Sequence, residues 1–148
     1  MRYILLIAIG GILIASCKKD KFTSEPQLSF VSVKPDFYRG GLIADEDYPV
    51  ITLHVTDAEG DLGFINGQDT SMIYIKNLRT NKFDSAYLPN IKPIAGKNFE
   101  ADIEIFMKQF IGVPVNVRDT IYFDIYIKDF AKNKSNVLRT GKPIYYIP

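Results

Sequence analysis

The chain has no tryptophan, one cysteine, one histidine, a net charge of only +1 and no apolar run long enough to cross a bilayer. Each shortage closes a class of function. A lone Cys17 has no partner for an intramolecular disulfide. A lone His54 supplies neither a multi-imidazole zinc site nor a supported hydrolytic triad. Near-neutral charge without a Lys/Arg stripe lacks the electrostatic footprint of phosphate binding, so nucleic acid is not an expected partner. No glycine-rich phosphate loop is present either. Gly40-Gly41 is a turn signal ahead of a solvated acidic run, Asp45-Glu46-Asp47.

What the chain does have begins at its N-terminus. Arg2 precedes the apolar run Ile4 to Ile14, which is eleven residues. That length suits the core of a signal peptide and falls short of the roughly 20 residues that span a bilayer as a helix. Ile14-Ala15-Ser16-Cys17 resembles the bacterial lipobox, and the resemblance implies attachment of a diacylglyceryl group to the thiol of Cys17 and cleavage before it. Residues 1–16 are thus expected to be a lipoprotein signal peptide. Two or three acyl chains anchor stably where one holds only marginally. Removing 16 of the 148 residues leaves 132, and loss of Arg2 leaves 17 basic and 17 acidic side chains. This length suits one domain. Residues 17–27 are expected to form the lipidated cysteine and a polar linker, with the basic Lys18-Lys19-Asp20-Lys21 nearest the headgroups.

From residue 28 onward the hydrophobic period is two. Ser29 to Lys34 alternates around Val31 and Val33 until Pro35 stops it. In Val50 to Asp57, Ile51, Leu53 and Val55 face one way and Thr52, His54 and Thr56 the other. Ser71 to Leu78 and Phe83 to Leu88 flank a turn at Arg79-Thr80-Asn81-Lys82. Phe99, Ala101, Ile103 and Ile105 oppose Glu100, Asp102 and Glu104. Phe106 to Val113 reads as a short helical turn. Asp119 to Asp129 places Ile121, Phe123, Ile125 and Ile127 inward, and a final strand runs from Asn136 to Thr140 and resumes at Ile144 to Ile147. Seven to eight strands without a long helix predict an all-β, immunoglobulin-like antiparallel β-sandwich over residues 28–148. Without Trp or a cysteine pair, it belongs to the wider sandwich class rather than to the antibody domains.

Carboxylates at alternate positions mark Asp57-Ala58-Glu59-Gly60-Asp61-Leu62-Gly63. Such spacing with a bend-permitting glycine wraps hard cations, but position twelve is Gln68 rather than Glu, so it is not an EF-hand. In an immunoglobulin-like sandwich this loop lies at the same end as the loop between the last two strands, Asp129 to Asn136. Asp57, Glu59, Asp61 and Asp129 are then expected to converge, with Asn133 and Asn136 adding neutral oxygens, as a Ca2+ site that relieves their mutual repulsion. The competing reading is that Asp, Asn and Gly simply form turns.

The lipobox, the acidic loop and the closing Ile127-Lys128-Asp129-Phe130-Ala131-Lys132-Asn133-Lys134-Ser135-Asn136 with Thr140 resemble uncharacterised lipoproteins of Bacteroidota that carry an immunoglobulin-like or cadherin-like domain. The family's closing segment usually reads D-x-A-G-N-x-S-N, and here Lys132 stands at the glycine. The resemblance spans most of the chain and implies an outer-membrane, lipid-anchored location on the periplasmic or cell-surface face, with no established activity. Glu100, Asp102 and Glu104 read as a solvated strand face, and His54 as a surface or cross-strand-paired histidine, so an enzyme is not expected. Two functions stay open. One is a structural or protein-interaction module of the envelope. The other is a glycan-binding accessory of a polysaccharide-uptake system, with Tyr122 and Tyr126 on the outer face of one strand and Tyr74 and Tyr87 adding to an aromatic surface.

Overall fold

The structure, a computed structural model, describes residues 20–40, 44–63, 70–88, 98–112 and 117–148. The signal peptide, Cys17, Lys18, Lys19, Gly41, Gln68, Pro89 and Val113 lie outside them. Among the described residues no helix is long and apolar enough to cross a membrane.

Strands β1 (Gln27–Lys34), β3 (Val50–Asp57) and β6 (Phe99–Phe106) form one antiparallel sheet in the order β1-β3-β6. Strands β4 (Met72–Asn77), β5 (Phe83–Tyr87), β8 (Phe123–Lys128) and β9 (Leu138–Arg139) form the second in the order β5-β4-β8-β9. Two short strands extend the second sheet's chain path: β7 (Asp119–Ile121) leads into β8, and β10 (Ile144–Ile147) follows β9. β10 pairs antiparallel with β7 and parallel with β2 (Phe37–Arg39). Counting each interrupted strand once gives eight among the described residues. The outcome is an all-β sandwich with immunoglobulin-like strand order.

The core follows from the period of two. Ile51, Leu53 and Val55 of β3 and Ile121, Phe123, Ile125 and Ile127 of β7–β8 have no exposed surface, and they meet between the sheets. Each such side chain contributes about 1.5–3 kcal/mol on burial. The helical turn α1 (Lys108–Ile111) plugs one end with Phe110 and Ile111. Its last carbonyls, those of Phe110 and Ile111, accept from the Nδ2 of buried Asn77 (both 3.1 Å), while Asn77 Oδ1 accepts from the amides of Arg79 and Thr80. One fully engaged amide thereby organises the β4–β5 turn and the helix end together.

Two departures from simple alternation have local causes. The β1–β3 register shifts between Phe30 and Ser32, so the bulge separates the two valines expected to share a face: Val33 is buried and Val31 exposed. The path from β7 to β8 is interrupted at Tyr122, whose carbonyl accepts from Leu78 N (3.0 Å) just past the end of β4. β2 carries no sequence period because it is three residues long and is defined only by distant β10.

Candidate metal centre

β3 ends on Asp57, and because the strand delivers this residue to the rim on the buried side, its side chain has no exposed surface. The following loop folds back over it. Gly60 N and Asp61 N both donate to Asp57 Oδ2, at 2.6 and 3.2 Å, and Gly60 turns the chain at a φ of 70°. Leu62, fully buried, fastens the far side of the loop.

The loop between β8 and β9 reaches the same place. Phe130 N donates to the Asp61 carbonyl (3.1 Å) and Ala131 N to Asp61 Oδ2 (3.2 Å). Asp129 is fully buried and held by its own loop: Asn133 N donates to its Oδ1 (2.7 Å) and Asn133 Nδ2 to its Oδ2 (2.9 Å). Lys132 adopts a φ of 70°, so the tight turn forms with lysine where glycine is usual. One carboxylate oxygen each from Asp57, Asp61 and Asp129 lies within 4.8 Å of the others, an arrangement that could hold a metal ion.

The electrostatics are those of an unbalanced anionic cluster. Burial, with the charge of Asp61 adding to it, pushes the Asp57 carboxyl up to about 6 against the pull of the Gly60 and Asp61 amides. Asp129 is raised as well, chiefly by burial and then by the charges of Asp61 and Glu59, while the Asn133 donors oppose the rise. Asp57 Oδ1 and Asp61 Oδ1 are buried and find no donor, and the two carboxyls are close enough to share a proton, a contact that also raises Asp57. Buried polar atoms without partners are uncommon, and two on adjacent carboxylates call for a proton or a cation between them. An all-oxygen set without imidazole or thiolate suits a hard cation.

The other expected ligands are placed differently. Glu59 sits exposed at the rim, where Ser24 Oγ donates to its Oε1 (2.8 Å). Asn133 uses its donors to hold Asp129. Asn136 is spent on the sheet edge, since its Oδ1 accepts from Leu28 N (2.7 Å) and its Nδ2 donates to the Leu28 carbonyl (3.0 Å). The sequence carried no signal for Ser24 beside the acidic loop, because nothing in the polar stretch around it has a period.

Elsewhere, His54 is clamped on the outer sheet face by Asp102 (2.7 Å) and Glu100 (3.0 Å). Lys21 also pairs with Glu100 and is the main reason that carboxyl titrates below its usual range. Tyr126 stacks on Tyr74 across β4–β8, with centroids 4.7 Å apart and planes 10° from parallel. Lys134 lies 4.1 Å from the Tyr126 centroid and Lys128 5.7 Å from that of Tyr74. Each ring of the stack therefore has a lysine ammonium over it. Tyr122 has no ring contact with this stack among the described residues and is exposed beside Arg79 and Arg139.

No protein-family model, no curated protein and no solved structure matches this chain.

Proposed function

We propose that this protein is a lipid-anchored lipoprotein of the outer membrane, a non-catalytic structural or protein-interaction module whose loop end is stabilised by a bound calcium ion. The observation that carries the calcium reading is the pair of buried, unpartnered oxygens, Asp57 Oδ1 and Asp61 Oδ1, beside the carboxylate of Asp129. Calcium fits better than magnesium because it accepts irregular six- to eight-oxygen shells, whereas magnesium demands a near-ideal octahedron and keeps its waters. The lipobox and its single cysteine support the anchor, and the clamped surface histidine supports a role without catalysis.

Thermal unfolding of the purified full chain tests the cation. Calcium at about ten times its Kd adds about 1.4 kcal/mol, which raises Tm by about 5 °C for a domain of this size. Asp61→Asn keeps the backbone contacts and should remove the rise. An unchanged melting curve for the wild-type chain in millimolar calcium contradicts the calcium reading. Loss of fatty-acid labelling in Cys17→Ala tests the anchor separately.

A further inference from the structure

The segment that leads from Cys17 into the domain was expected to be a polar linker, and several of its described residues contact the domain. Thr56 Oγ1 donates to the Lys21 carbonyl (3.0 Å), Ala58 N donates to the Thr23 carbonyl (3.1 Å), and Ser24 Oγ donates to Glu59 Oε1 (2.8 Å). Lys21 Nζ pairs with Glu100 Oε2 at 2.6 Å, and Pro26 is buried. The residues used are Thr56 on β3 and Ala58 and Glu59 in the loop after it, which interleave with Asp57 and precede Asp61. One short stretch of backbone therefore carries the tether on one side and the acidic centre on the other.

These docking contacts are individually weak. Hydrogen bonds at a solvated surface and exposed ion pairs each contribute little. Those to Thr56, Ala58 and Glu59 depend on the shape of residues 56–61, which also places Asp57 Oδ1 and Asp61 Oδ1 together in a buried position without a donor. Mutual repulsion loosens such a loop when the centre is empty and ionised; a divalent ion removes the repulsion and ties the loop to Asp129.

We propose that the metal centre is the latch of the tether, so that filling it holds Lys21–Pro26 on the domain and emptying it sets them free. This rests on the calcium and lipid-anchor readings above. With the segment docked, four residue steps from Cys17 to Lys21 can span at most about 14 Å, and with it released, ten steps to Gln27 at most about 35 Å. The distance at which the domain can stand from the bilayer is then set by divalent cation. Coupling of this kind is reciprocal, so a docked tether must raise calcium affinity by the factor by which calcium favours docking.

The test is the rate of cleavage after Lys21 by lysyl endopeptidase, which needs no calcium itself, on the full chain in detergent with calcium chloride or with chelator. Cleavage of a docked segment tracks its open population. Calcium should slow this cleavage about tenfold or more in the wild-type chain and leave it unchanged in Asp61→Asn. The double variant Ser24→Ala/Thr56→Val, which keeps all three acids, should weaken calcium binding at least about threefold in a titration. A calcium-dependent rise in Tm with unchanged cleavage after Lys21 overturns the latch and leaves the metal centre standing. If calcium neither raises Tm nor changes cleavage, both the latch and the metal centre are overturned.

Discussion

A carboxylate that folding removes from water is stable only with a proton, a donor or a cation. Asp57 has donors on Oδ2 alone, and no basic side chain pairs with it among the described residues. Its carboxyl, raised from 3.8 to about 6, makes the metal-free protein hold that proton more tightly folded than unfolded. The linked stability is therefore highest below pH 4, falls as pH rises through the window between the two values, and is fully lost above pH 6. In chelator, urea unfolding should show the domain about 1–1.5 kcal/mol less stable at pH 7.5 than at pH 5 from this group. Calcium should flatten that slope, and Asp57→Asn should abolish it. Lys132 is the other residue under tension, since its φ of 70° is a conformation that side chains with a Cβ resist. Lys132→Gly relieves that cost but loosens the unfolded chain, so denaturant midpoints should show a net gain of up to about 1 kcal/mol.

At the scale of elements, three strands were legible because burial enforces alternation: β3, β6 and β8 each place apolar residues at every second position. The meeting of Asp57, Asp61 and Asp129 was legible for a related reason, since strand order alone brings the two loops to one end. Side-chain direction within those loops was not. Whether Glu59 turns to Ser24, or Asn133 to Asp129, depends on hydrogen bonds that spacing does not encode. β2 escaped notice because a three-residue strand has no period, and the tether because two of its contacts use the carbonyls of Lys21 and Thr23, which any residue would offer, and its side-chain contacts from Lys21 and Ser24 follow no period. The clearest element-level prediction concerns Asn77, which joins β4 to the end of α1. Asn77→Ala strands two helix-end carbonyls and two turn amides in a buried setting, and should lower stability by about 2–3 kcal/mol in chemical denaturation.

On the scale of the whole molecule, the sandwich closes one end with apolar side chains and the other with acids. One end is capped by α1, Phe110 and Ile111. The opposite end gathers the acidic loop, the β8–β9 loop and the segment arriving from Cys17, so the part of the domain proposed to hold an ion is also the part that the N-terminal segment reaches. On the proposed reading, that coincidence makes the loop end the place where the domain is held and oriented. Its most direct test is a crystal structure of the protein grown in calcium above pH 7. The account predicts one ion at about 2.3–2.6 Å from oxygens of Asp57, Asp61 and Asp129; a proton-sharing contact between Asp57 and Asp61, with no ion between them, would contradict it.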